Sequence, residues 1–276
     1  PGHSSAASDV YKRQSQNLEN IGSLCSDYSG QTYLATSFLE LVSFGDHELT
    51  SSGGTHVAVA QYNSGGWLWA KSAGGTSDAS ATDCDGRHDG GVAVVGDFLQ
   101  NMTFGDLEIG PSVWVDFYEA HISDQGEWLH ATGFGGGAAD HAAAIHITEQ
   151  GDSLILGKTT GTLVLGEYTL TDIDGMNDGN HHDLFLGRRQ ANSTWDWAIA
   201  AGGGGDDLPD SLSMSATGSP VISFISNSDG TYGAHAFTQR DHYDMGVWLY
   251  ETDLDLDGVL DGLDNCPKLA NSDQAN

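Results

Sequence analysis

Short apolar runs bounded by glycine recur along the chain at near-constant intervals: TYLATSF (32–38), GVAVVGDF (91–98), DSLILGKT (152–159) and PVISFIS (220–226). Each is long enough for one strand and too short for a globular helix. SLSMSA (211–216) alternates strictly, with Leu212, Met214 and Ala216 on one face and serines on the other, which predicts a half-buried strand. The long amphipathic periods of a helical bundle are missing, and 38 glycines against 5 prolines fit a chain of many tight turns.

Two further blocks repeat in register with these runs. GGWLWAKSAGG (65–75), GEWLHATGFGG (126–136) and TWDWAIAAGG (194–203) share a leading Trp67, Trp128 or Trp195, an Ala three positions on, and paired glycines at seven and eight. Acidic residues follow as Asp78, Asp140, Asp206 and Asp207. SFGDHEL (43–49), TFGDLEI (103–109) and VLGEYTL (164–170) align on Gly45, Gly105 and Gly166. The tryptophans are 61 and 67 residues apart and the glycines 60 and 61, so unit three carries about six extra residues, near DIDGMNDGNHH (172–182). A period of this length with four strands per unit is that of a propeller blade; a β-helix coil is much shorter and an immunoglobulin-like module much longer.

These W-x-W-A-x-x-x-G-G and F-G-x-x-x-L blocks resemble the bacterial SBBP-type β-propeller repeat over roughly residues 30–235. The resemblance implies an all-β fold: a partial β-propeller of about four four-stranded blades, short of a closed ring. The repeated tryptophans are expected to pack between adjacent blades, and the paired glycines to let the chain turn after the Trp strand. His130 departs from the pattern, standing where the other units have Trp69 and Trp197.

Charge narrows the partners. With 39 acidic against 9 basic side chains the formal charge is -30, which opposes a nucleic-acid backbone and an anionic lipid surface and favours divalent cations or salt. No run of eighteen apolar residues exists for a membrane-inserted helix. Cys25, Cys84 and Cys266 are too few and too scattered to read as a disulfide framework or a CxxC zinc site. SDVYKRQ (8–14) reads like translated adapter sequence, so residues 1–14 are set aside as non-native; the gene is expected to begin upstream, with any signal peptide lost from this fragment. Residues 15–250 are then the repeats, and 251–276 a separate segment.

That last segment holds seven acidic side chains and one Lys. Asp253, Asp255 and Asp257 alternate, Gly258 follows, and Asp261 and Asp264 fall at places nine and twelve, the spacing of an EF-hand-type calcium loop with Asp in place of Glu at twelve. Alternate carboxylates converge on one ion, Gly258 permits the sharp turn, and the carbonyl of Val259 supplies a further oxygen. Oxygen-only ligation selects calcium over zinc. With the continuation DNCP (264–267), Asn271 and Asp273, the segment resembles the thrombospondin type 3 repeat. In that family acidic and Asn side chains bind calcium and neighbouring cysteines are often bridged, which implies a partner for Cys266 beyond Asn276.

Weaker patterns remain. DIDGMNDGNHHD (172–183) could hold a second calcium through Asp172, Asp174 and Asp178, although Asp-Gly turns are common in plain polar loops. DCDGRHD (83–89) is a fainter version, and the histidines His141, His146, His181 and His182 have no spacing that gathers three ligands. The expected protein is a non-enzymatic secreted or cell-surface one, a binding platform for protein or glycan with a calcium-stiffened tail. The alternative is an accessory or partial propeller of an extracellular carbohydrate-active enzyme.

Overall fold

A computed structural model describes residues 14–15, 21–173, 181–216, 218–240 and 242–251. Its described residues are all strand, turn and connection, with no helix, and none is therefore long and apolar enough to cross a membrane. The strands fall into four units of one plan.

Unit one runs Ile21–Ser26, Thr32–Phe38, His56–Asn63 and Gly66–Gly74 as an antiparallel meander, with a hairpin, Leu41–Phe44 and His47–Thr50, between its second and third strands. Unit two repeats this with Asp83–Gly86, Val92–Phe104, Leu107–Ile122 and Trp128–Gly136, its hairpin formed by the tips of the two long strands. Unit three has Asp140–Ile147, Ser153–Thr159, Asp183–Arg189 and Trp195–Gly203, with a hairpin of Leu163–Leu165 and Tyr168–Leu170. Unit four shows three strands, Asp207–Met214, Pro220–Ser226 and Asp244–Leu249, and a hairpin of Gly230–Tyr232 and His235–Phe237. The four predicted apolar runs are thus the second strand of each unit, and the three Trp blocks are fourth strands.

Both faces of an inner sheet are covered, which explains the unbroken apolar runs. Val92 and Val94 pack towards unit one with Tyr33, Val57 and Val59, whereas Ala93 and Val95 pack towards unit three with Phe117, Ile155 and Phe185. Leu154, Leu156, Leu184 and Leu186 then meet Ile222, Phe224 and Trp248 of unit four. Successive residues of a strand point to opposite faces, so a strand between two neighbours must be apolar at every position. The far face of unit four has no such cover: Met245 and Val247 are 78% and 72% exposed.

The structure changes the role of both repeated blocks. The paired glycines do not turn the chain; they let the next unit's hairpin add to the end of the fourth strand. Gly135 and Gly136 pair with Val164 and Leu163, and Gly202 and Gly203 with Thr231 and Gly230. Any side chain there would collide, since a Cβ on Gly136 would lie 1.7 Å from the Thr162 carbonyl oxygen and one on Gly203 2.0 Å from that of Asp229. The leading tryptophans chiefly cover their own unit's hairpin turn. Trp67, Trp128 and Trp195 sit over Gly45, Gly105 and Gly166, each in the left-handed region at φ of 60°, 59° and 63°. Glycine at the first central position of a two-residue hairpin is what such a turn requires. Trp195 alone also meets an aromatic ring of the preceding unit, Phe134, at 5.2 Å.

Unit four has a fourth copy of the turn, at Gly233 (φ 60°), which Trp248 covers from the third strand. By strand register Trp248 stands where unit three has Gly187, whose vacant side-chain space Trp195 fills. The extra residues of unit three fall between Leu170 and Asp183, as their spacing predicts. Gln14–Ser15 pairs with Ser43 and Val42 of the first hairpin, the slot that a fourth-strand end occupies at the other hairpins.

Candidate functional site

The calcium ligands predicted in the tail, Asp253, Asp255, Asp257, Val259, Asp261 and Asp264, lie outside the described residues, as do Asp174 and Asp178 of the inserted loop. Among the described residues no three His, Cys, Asp or Glu side chains gather as a metal cage. The acidic and His motifs of the repeats are instead joints between units. Asp83 and Asp85, on the first strand of unit two, accept the backbone N–H groups of Ile145 and Ile147 of unit three at 3.0 and 2.8 Å. His146 lies 2.9 Å from Asp85, His141 2.7 Å from Asp97, and His182 3.0 Å from Asp206, each pair spanning two units. Between those two aspartates, Cys84 turns the other way and forms a disulfide with Cys25 on the first strand of unit one. The two cysteines are 59 residues apart, close to one period, so the repeat brings distant positions onto adjacent strands. Scatter along the sequence was no guide to distance in space.

The same first strands lead to a cavity of about 450 Å³ between units two and three, within the size range of small-molecule sites. Arg87, His121, His130 and Arg189 line it, with Gln150 and Gln190 among the other lining residues. One hydrogen-bonded chain runs through its floor. The Arg87 Nη1 group donates to His121 Nδ1 at 2.8 Å, and His121 Nε2 lies 2.9 Å from a Glu119 oxygen. Arg189 donates to the other Glu119 oxygen at 2.7 Å and to His130 Nε2 at 3.0 Å, while the Ser153 hydroxyl also donates to Glu119. Glu119 is fully buried and Arg189 nearly so. The Arg189 Nε atom is buried with no hydrogen-bonding partner.

Electrostatics fix the charge states on this floor. Burial pushes the Glu119 carboxyl up, but the hydrogen bond from His121, the charge of Arg189 and the Ser153 hydroxyl together hold it at about 2, so it is ionised. Burial, with the Arg189 charge beside it, holds His130 below the usual imidazole range and keeps it neutral. Nε2 of His130 is then free to accept from Arg189.

Register shows that the floor is where the repeat is broken. Second-to-third strand pairing puts Glu119 at the position of Val59 in unit one and Leu186 in unit three. Arg189 takes the place of Tyr62 and Ile122 in the same way. The sequence singled out His130 as a departure; Glu119 and Arg189 escaped it because the third strands had not been aligned. Such an alignment exposes both as charged residues in apolar columns.

A second group of acids sits under the paired glycines. Burial pushes Asp116 up to about 6 and Asp140 up to about 7, the Thr159 hydroxyl and Gly136 N–H only partly opposing it at Asp140. Neither Asp140 oxygen has a hydrogen bond of good geometry. At the next junction burial, with Asp172 beside it, raises Asp183, and burial raises Asp207, which accepts Gly203 N–H at 2.8 Å.

Comparison with known proteins assigns one segment. Residues 250–274 match the model of the thrombospondin type 3 repeat. No curated protein matches the chain. Among solved structures, the chain is similar to a Bacteroides caccae protein of unknown function at 10% identity and a TM-score of 0.42, the match covering 81% of this chain and 62% of that one. The chain therefore corresponds to less than two thirds of that relative's length.

Proposed function

We propose that this is a non-enzymatic secreted or cell-surface protein, in which an incomplete β-propeller of SBBP-type repeats presents a binding platform and a thrombospondin type 3 tail binds calcium. The observation that carries the reading is the match at residues 250–274, which overlies the carboxylate spacing from Asp253 to Asp264. Calcium-binding repeats of this kind are typical of extracellular proteins, and adhesion or matrix contact is the role that joins such a tail to a platform. Four similar sheets stacked face to face, with apolar residues left bare on unit four, support a propeller arc short of closure.

An extracellular carbohydrate-active enzyme is the competing reading, and the convergence of His121 and His130 on one cavity, with the buried Glu119 bonded behind His121, speaks for it. Against it, a general acid needs a carboxyl that holds its proton near neutral pH, and Glu119 is ionised by its contacts. The Ser153 hydroxyl donates to that carboxylate rather than to a base that would activate it.

Thermal melting of the full chain with 1 mM calcium, with magnesium and with chelator tests the proposal. Calcium alone raises the melting temperature, and Asp257→Ala removes the rise. Curves that coincide in calcium and chelator would contradict it.

A further inference from the structure

We propose that the cavity between units two and three binds the carboxylate of an acidic sugar, with the Arg87 guanidinium as its direct partner. The inference deepens the platform reading and rests on it. Its first support is economy of charge. The whole chain has five arginines, and two of them face this one cavity together with three histidines. Its second is the break in the repeat: Glu119, His130 and Arg189 each replace an apolar or aromatic residue of the other units, and all three meet here. The junction between units one and two closes its equivalent end with Asp27, Tyr33 and Gln61 and, among the described residues, no buried cation, so the ion pair is particular to this junction.

The two arginines are differently placed. Arg189 is locked to Glu119 below the floor and serves as a positioning residue, holding His130 through its Nη2 group. Arg87 keeps a side chain 14% exposed, and its carboxylate partner, Asp89, is two residues away with a side chain 70% exposed. The fork of Arg87 bonds both Asp89 oxygens, at 2.9 and 2.6 Å, which is the bidentate geometry a ligand carboxylate would reproduce. An exposed local carboxylate can be displaced at small cost, because a surface ion pair contributes little.

The lining selects a sugar over an acidic peptide. Asp89 and Glu149 contribute acceptors to it, with Gln150, Gln190 and Ser193. These groups hydrogen-bond hydroxyls and repel a ligand that carries one charge on every residue. Beside the cavity, exposed Tyr28 of unit one stacks on His88 with ring centroids 3.3 Å apart, a flat apolar surface against which a sugar ring can lie.

The test is calorimetric titration of the full chain, calcium chelated throughout, with an otherwise neutral trisaccharide ending in one galacturonate, its methyl ester and triglutamate. The expected result is saturable binding of the acid, with the ester and the peptide weaker by about tenfold or more, the value of a charged hydrogen bond. Arg87→Gln reduces binding of the acid by a similar factor. His130→Trp, which restores the residue of the neighbouring units, fills the cavity and abolishes binding. Ring-proton shifts of His121 and His130 on titration of the unmutated chain report the site without depending on any variant's fold. Equal affinity for acid and ester, equal affinity for the peptide, undiminished binding by Arg87→Gln, or histidine signals that stay still while the acid binds would each overturn the assignment. A glycan array that finds a ligand on other loops while the uronate fails sinks this site and leaves the platform standing. An array and a pull-down both empty would sink the platform itself.

Discussion

The junction between units one and two and the junction between units two and three are built from the same strands in the same register, but they are filled differently. The first buries Tyr33, Val57, Val59, Val92, Val94 and Ile122 together, with the Cys25–Cys84 disulfide tying its first strands. Its polar end is a buried carboxylate, Asp27, held by the Tyr33 hydroxyl and the Gly91 N–H with Gln61 behind, without a cationic partner among the described residues. The second keeps an apolar layer around Ile155, Phe117 and Phe185, and gives up its other end to the Glu119–Arg189 ion pair. A buried ion pair seldom adds stability over an apolar replacement of similar volume. Its presence in one junction of a repeat therefore marks a place shaped for something besides stability.

Exchanging the two chemistries is the most severe way to break that contrast. Glu119→Leu, the residue of unit three, leaves Arg189 buried without its counter-ion and destabilises the chain by about 3 to 5 kcal/mol. Adding Arg189→Tyr, the residue of unit one, recovers most of the loss, as a double-mutant cycle in urea would measure. If the double variant is no more stable than Glu119→Leu, the pair is not an isolated exchange for apolar packing.

At the first junction, Cys84→Ser removes the cross-link and lowers stability by about 2 to 4 kcal/mol. Reducing agent has the same effect on the unmutated chain and none on the variant. Equal urea midpoints for the two chains under oxidising conditions would mean the bridge contributes nothing.

The acids under the paired glycines give a smaller effect with a definite sign. Asp140 binds its proton up to about pH 7 in the folded chain, against an ordinary value of 3.8, so its favourable contribution is complete below about pH 4 and is lost as pH rises through 7. Asp140→Asn should flatten that fall and raise stability at pH 8 by about 1 to 3 kcal/mol, with little change at pH 4. A variant that loses stability equally at both pH values would show the carboxylate to be satisfied after all. Glu119 has the opposite sign: its contribution is present above its ordinary value and is lost as pH falls towards 2.

Much of this was legible in the sequence because packing repeats. The second strands, the Trp strands and the site of the six extra residues all follow from period and alternation, and Gly45, Gly105 and Gly166 aligned, although the hairpins they turn were not read from the sequence. The fourth hairpin turn was missed, since Tyr232 and Ala234 replace the Phe-Gly-Asp pattern around Gly233 and only the Y-G-x-x-x-F remnant survives. Cooperation between units was less visible. The Cys25–Cys84 bridge, the Asp83 and Asp85 contacts to unit three and the Glu119–Arg189 pair join residues 59 to 70 positions apart, and no local pattern encodes them.

The same side chain thus has two uses in this protein. Carboxylates of the repeats are satisfied inside the fold, by backbone N–H groups at Asp83 and Asp85, by arginine at Glu119, and by a retained proton at Asp140. Those from Asp253 to Asp264 alternate without basic residues among them, which leaves an added cation to neutralise them. At a dissociation constant of about 10⁻⁴ M, about 1 mM calcium stabilises the bound form by roughly 1.4 kcal/mol. Calcium titration calorimetry on the full chain, beside a variant with Asp253, Asp255 and Asp257 all changed to Asn, tests that division most directly. The account predicts saturable calcium binding that the triple variant loses while its repeats melt unchanged in chelator. Calcium binding of undiminished stoichiometry and affinity in the variant would contradict it.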